Sequence, residues 1–164
     1  MDDPKTLFLM QQTYATLFSL ANKIQVKGDQ YLKNLTTRQM MAMLAIIHLP
    51  AGEASLNNIA RKLGTTKQSV KQLITLIERN GFVVTAPSER DRRAVNITIT
   101  KRGEQAMLED NERGMKFFDD LFREFTPQEM EVLWSLLKKL YRFDGEAQDG
   151  FEEESNYFTQ KGES

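Results

Sequence analysis

SLNNIARKLGTTKQSVKQLITLIERNGFVVTAPSERDRRAVNITITK, from Ser55 to Lys101, is the stretch whose reading decides the fold. Its apolar residues keep a helical period twice and then switch to a strand period. Leu56, Ile59, Ala60 and Leu63 fall at i, i+3, i+4 and i+7, so they predict a short amphipathic helix capped by Ser55. Gly64 suits the left-handed turn that ends it. Thr65-Thr66-Lys67-Gln68 reads as a capping box opening a second helix over 66–80, which buries Val70, Leu73, Ile74 and Ile77 and stops at Asn80-Gly81. Phe82-Val83-Val84 predicts a strand, and Val95, Ile97 and Ile99 alternate with Asn96 and Thr98 in another. A polar turn, Pro87 to Ala94, joins the two and carries Arg90, Arg92 and Arg93. Two short helices followed by a hairpin make a helix-turn-helix with a β wing.

Charge sets this stretch apart. Over 55–102, ten basic residues oppose only Glu78, Glu89 and Asp91, a net +7 in a chain whose total is −1. Residues 1–54 carry +1, residues 103–143 carry −3 and residues 144–164 carry −6. A basic middle between acidic flanks describes a focused basic face rather than a general polycation.

Working outward, Leu7, Met10, Tyr14, Leu17, Ala21 and Ile24 step by 3 and 4 along a predicted helix from Thr6 to about residue 33. Such a seam packs on its own domain or on a partner, and the pattern does not choose between them. Thr36-Thr37-Arg38-Gln39 is a capping box for a helix through Leu49, with Met40, Met43, Leu44 and Ile47 inward and Pro50-Ala51-Gly52 as its stop. Thr100 caps a long helix to about Phe125, whose apolar set is Ala106, Met107, Met115, Phe118, Leu121, Phe122 and Phe125. Thr126-Pro127-Gln128-Glu129 opens the last helix, to about Phe143, expected to bury Met130, Leu133, Leu137 and Leu140. From Gly145, the run GEAQDGFEEESNYFTQKGES has no periodicity and reads as disordered. The expected fold is mainly α with a small β-hairpin wing: a winged helix-turn-helix flanked by N- and C-terminal helices.

The second helix of the motif leaves Lys67, Gln68, Lys71, Gln72 and Thr75 on its outer face. In a helix-turn-helix the start of that helix enters the major groove. Lys donates to guanine O6/N7 there, and Gln pairs with adenine N6/N7. The helix start, with Thr65, Thr66 and Ser69, and the Ser55 cap before it suit backbone phosphates. A solvated helix face is the plain alternative, but no acidic residue occurs between Glu53 and Glu78. An arginine at the wing tip (Arg90, Arg92 or Arg93) suits a narrowed A·T minor groove. Asp91 beside them is expected to pair with a neighbouring arginine and stabilise the loop.

These residues resemble the MarR family of bacterial transcriptional regulators. The family's wing signature, Asp-x-Arg, five residues, then Leu-Thr, stands here as Asp91-Arg92-Arg93, Ala94 to Thr98, then Ile99-Thr100, with Gly103 shortly after. Leu73, Ile77, Glu78, Gly81, Phe82 and Val83 look like its recognition-helix exit. Over about residues 6–143, the resemblance implies a homodimer with interleaved terminal helices. It also implies Arg93 in the minor groove and a pseudo-palindromic operator with half-sites roughly 34 Å apart. The implied divisions are a dimerisation helix over 1–35, a DNA-binding winged domain over 36–100, dimerisation helices over 101–143 and an acidic tail over 144–164. Relatives of this kind bind small aromatic or phenolic effectors in a cleft between the two parts. The corresponding candidates are Tyr14, Phe18, Met40, Met43, Ile47, His48 and Phe117. The expected role is a repressor.

Other classes fit less well. The chain has no Cys and a single His, which excludes thiol chemistry and disulfides and leaves no His-rich metal site. No metal or cofactor is expected. Asp119-Asp120, Glu152-Glu153-Glu154 and His48 form no catalytic constellation, so the chain reads as a non-enzyme. The N-terminal MDDPKTLFLMQQ lacks the basic and apolar regions of a signal peptide, and no apolar run spans a bilayer, so a cytoplasmic location is expected. The sequons at Asn34 and Asn96 carry little weight without secretion. The alternative reading is a winged-helix module for protein–protein contact without ligand sensing, which would not need the basic residues.

Overall fold

The computed structural model of the protein describes residues 3–146 and residue 151. The element order is α1 (Pro4–Tyr31), α2 (Thr37–His48), α3 (Leu56–Leu63), α4 (Lys67–Arg79), β1 (Val83–Pro87), β2 (Val95–Ile99), α5 (Lys101–Phe122) and α6 (Pro127–Tyr141), then a short 3-10 turn at Arg142–Asp144. This is the expected mainly helical, winged helix-turn-helix architecture. Most of the acidic tail lies outside the described residues. Among the described residues no helix is long and apolar enough to cross a membrane.

The local signals act as chemistry requires, with one exception. Thr36 and Gln39 form a reciprocal box, as do Thr126 and Glu129 behind Pro127. The Thr126 backbone N–H, then its side chain, holds the Glu129 carboxyl below the usual glutamate range. Ser55 accepts from the Asn58 N–H, and Gly64 takes the left-handed conformation at φ 62°. The box expected at Thr65 and Gln68 does not form. Thr66 is the cap, accepting the Ser69 N–H at 3.1 Å, and α4 begins at Lys67. Two adjacent threonines offer the same cap chemistry. The Thr65 N–H is committed to the Ala60 carbonyl at 3.0 Å, inside the turn that closes α3, so the next residue takes the role.

The core lies between α2, α3, α4 and the hairpin, with Met107 of α5 closing it. Met40, Met43, Leu44 and Ile47 were expected to form the inner face of α2. Its fully buried residues are instead Ala42, Met43, Ala45 and Ile46, with Met40, Leu44 and Ile47 half-buried against the same core. The helix is enclosed by α1, α3, α4 and β2 together, and the two alanines admit close neighbours.

The hairpin is antiparallel, running in register from Val83 opposite Ile99 to Pro87 opposite Val95, one residue later than expected at its start. On its free edge β2 donates the Ile97 N–H to the Ala54 carbonyl at 2.9 Å. At its end Thr100 does three things. Its N–H meets Phe82 O, its hydroxyl donates to Gly81 O, and the same oxygen accepts the Gly103 N–H to start α5. A Cβ on Gly103 would lie 2.1 Å from the Phe82 carbonyl, so only glycine fits. On α5, the fully buried Asp110 accepts the backbone N–H groups of Lys33, Asn34 and Leu35 at 2.8–3.2 Å. One carboxylate thereby fixes the whole α1–α2 turn.

The outer helices differ sharply from this core. α6 buries no residue, and Leu137 and Leu140 are exposed rather than buried, while Met130 and Leu133 are half-buried. Along α1, Leu7, Met10 and Tyr14 are exposed, and Gly28 is its one buried residue. Met115, Phe118 and Phe125 on and after α5 are exposed too. An apolar period locates a face, but a single chain leaves these faces uncovered.

Candidate nucleic-acid interface

The start of α3, the outer face of α4 and the wing enclose a cavity of about 410 Å³. Ser55, Lys67, Lys71, Thr75 and Arg93 line it together. The helical repeat puts Lys67, Lys71 and Thr75 one turn apart on one face of α4. Gln68 and Gln72 share an adjoining depression with Lys71 and Thr75. Not every expected residue joins them. Thr66 spends its oxygen on the α4 cap. Thr65 and Ser69 line a different cavity, of about 370 Å³, with Ala21, Ile24, Arg38 and Met41 of α1 and α2. Ser69 precedes the buried Val70 and lies half-buried on the inner shoulder of α4.

The wing loop is held by its own backbone. Asp91 accepts the Arg93 N–H at 2.9 Å through its carboxylate, and its carbonyl accepts the Ala94 N–H at 2.9 Å. The expected stabilising role of Asp91 thus runs through a backbone turn rather than an ion pair with a guanidinium. Short Asp side chains close such turns locally, which an arginine partner would require two ordered side chains to match. Arg92 and Arg93 remain exposed. Arg90 is committed elsewhere, donating to Glu53 at 3.2 Å across to the α2–α3 loop. That pair is solvent-exposed and contributes about 0–1 kcal/mol.

Glu53, Glu78, Thr85 and Asp110 are the residues that sequence reading missed. Glu78 lines the basic cavity and accepts from both the N–H and the hydroxyl of Thr85, at 2.9 and 2.8 Å. The available signal was its isolation, as one of three acids in a strongly basic stretch.

The seven residues expected to form an effector pocket are dispersed. Tyr14 and Phe18 pack on each other, with ring centroids 5.0 Å apart, yet both are exposed on α1 (68% and 62%). Met43 is fully enclosed in the core, with Met40 and Ile47 packed against it. The His48 Nδ1–H donates to the Leu44 carbonyl at 2.8 Å, with the Phe151 ring edge-on at 5.4 Å. Phe117 is buried beside Tyr31, whose hydroxyl hydrogen-bonds Asp120. None of the seven lines the cavities above. The cause is the central position of α2, whose Met40 and Met43 pack into the core, leaving Met41 to line the cavity behind α4.

Residues 33–94 match the sequence model described as the MarR family. The chain is 34% identical over 99 residues to the transcriptional activatory protein BadR of Rhodopseudomonas palustris, covering 58% of this chain and 56% of BadR. Among solved structures it is similar to the MepR–DNA complex of S. aureus, with a TM-score of 0.70 and 22% identity, covering 78% of this chain and 95% of MepR. It is also similar to the organohalide-sensing regulator RdhR in its 2,4-dichlorophenol-bound form, with a TM-score of 0.72 and 20% identity, covering 88% of this chain and 86% of that one. The two structural likenesses bear on the fold.

Proposed function

We propose that the chain, whose residues 33–94 match the MarR family model, is a transcriptional regulator of that family binding double-stranded DNA sequence-specifically as a homodimer. The single observation that carries this reading is the cavity where Ser55, Lys67, Lys71, Thr75 and Arg93 converge. α4 lies in the major groove, with Lys67, Gln68, Lys71 and Gln72 toward base edges, and Arg93 of the wing enters the flanking minor groove. Arg92 serves the backbone, whereas Arg90 is engaged with Glu53 and acts from there. The winged unit over 36–100 reads DNA. The helices over 1–35 and 101–143 pair two copies, and the tail over 144–164 lies outside both roles.

The uncovered apolar faces of α1, α5 and α6 support the pairing. A protein–protein module has the same fold but no use for the lysines and arginine of that cavity. Repression follows if the operator overlaps a promoter, although BadR is named an activator. An aromatic or phenolic effector, of the kind named for the bound form of RdhR, fits the 370 Å³ cavity behind the start of α4. That position replaces the dispersed set of seven.

The test is selection of duplexes from a random pool by the full chain, then titration of the enriched duplex with wild type and Arg93→Ala. An inverted repeat and a loss of about 1–3 kcal/mol in Arg93→Ala are expected. Enrichment of no sequence, with only salt-sensitive general binding, would remove sequence-specific recognition from the proposal.

A further inference from the structure

The lone carboxylate inside the basic cavity calls for an explanation. Glu78 belongs to the last turn of α4, on the surface that otherwise presents Lys67 and Lys71. A negative charge there repels phosphate, and an apolar or basic residue would serve general attraction better. Its carboxylate is nevertheless not idle. Glu78 Oε1 accepts the Thr85 backbone N–H at 2.9 Å and the Thr85 hydroxyl at 2.8 Å.

Thr85 sits at the middle of β1, opposite Ile97 in the register. Its N–H faces away from β2, on the edge that has no further strand. Glu78 therefore takes the place of a missing strand partner. The matching residue across the hairpin is held in the same way, because the Ile97 N–H donates to Ala54 O. The other tie on the wing tip, Arg90 to Glu53, also runs to the α2–α3 loop. The bonds to Ala54 and Glu53 fix the wing to the loop before α3; among the described residues the Glu78–Thr85 pair is the hydrogen-bonded tie from β1 to an α4 side chain, beside the apolar core that Val83 and Ile97 share with Ile74 and Ile77.

We propose that Glu78 is a positioning residue that sets the wing against the recognition helix, so that Arg93 and Lys71 engage one DNA site at a fixed separation. This rests on the DNA-binding reading above and adds a residue to it. A carboxylate is used because it accepts twice at one oxygen, and hydrogen bonds to a charged acceptor are stronger than neutral ones. The repulsion of phosphate is the cost of that rigidity.

Positioning and simple electrostatics predict opposite signs. The probe is the duplex enriched by the wild-type chain, beside a copy whose A·T step under the wing is changed to G·C. If Glu78 acts only as a charge, Glu78→Ala and Glu78→Gln both bind tighter, by the same amount. If it positions the wing, Glu78→Ala binds about three- to tenfold more weakly, the equivalent of one net hydrogen bond, despite losing a negative charge. Glu78→Gln, whose amide oxygen still accepts, then binds as well as wild type or better. Discrimination between A·T and G·C at the wing step collapses in Glu78→Ala and survives in Glu78→Gln. Thr85→Ala, which removes the hydroxyl and leaves the N–H, falls between the two. Unfolding midpoints taken alongside identify any loss due to folding. Equal gains in both Glu78 variants overturn the proposal. So does undiminished discrimination in Glu78→Ala. Failure of the wild-type chain to enrich any duplex is a different result, and it strikes the DNA-binding reading itself.

Discussion

The winged unit and the helices around it spend their apolar residues differently. In the unit, Met43, Ile59, Ile77, Ile97 and Val70 are all essentially inaccessible, drawn from four elements that close on one another. In α6, about four turns of amphipathic pattern and a complete capping box end with nothing buried. Pattern strength does not track burial: α3 and α4 are the most amphipathic helices, yet the enclosed α2 is less so than α6. What differs is the other half of the contact: the unit closes on itself, and the outer helices leave their stripes uncovered in a single chain. Periodicity measures the width of an apolar face, not the ownership of its cover.

That contrast can be broken most forcefully at Ile77. Truncation to Ala removes a fully enclosed side chain of the unit and is expected to cost about 2–5 kcal/mol, read by chemical denaturation. A loss below about 1 kcal/mol would mean the unit is loosely packed and the comparison is overdrawn. The next largest effect is at Phe18, exposed on α1. Phe18→Glu places a charge on the stripe assigned to pairing, so the mass in solution, by light scattering, is expected to halve while the unit stays folded. An unchanged dimer would move the interface off this face.

The smallest effect concerns the capping carboxylate of α6. The folded pKa of Glu129 is lowered, so its contribution is present above the ordinary glutamate value of about 4.3 and is lost as pH falls through the lower folded value. The gap in unfolding midpoint between wild type and Glu129→Ala should be steady at neutral pH and close on acidification toward pH 3. A gap independent of pH would show that α6 does not depend on that cap.

Much of this was legible because it is local. Caps at Ser55, Thr36 and Thr126, the glycine turn at Gly64 and the alternation of β2 depend on residues within a few positions of each other. The wing signature was legible for the same reason, and the structure adds why its trailing glycine is needed, since Phe82 O occupies the space of a Cβ at Gly103. What escaped is set by distance or by degeneracy. Asp110 reaches a turn about 75 residues away, and no spacing rule relates them. Glu78 meets Thr85 only after the chain has reversed. Thr65 and Thr66 are chemically alike, so the choice of cap fell to a carbonyl in the preceding helix. The effector residues were dispersed because α2 turned out to be central, which its own pattern of methionines did not reveal.

Thr100 is the last consequence of note. The wing strand ends at Ile99 and α5 begins at Lys101, so this one residue is the entire joint between them, bonded at its N–H and its hydroxyl. A joint with no slack transmits rotation. If two copies pair as proposed, a tilt of α5 would carry the wing with it through this one residue, and so change the gap between two Arg93 side chains.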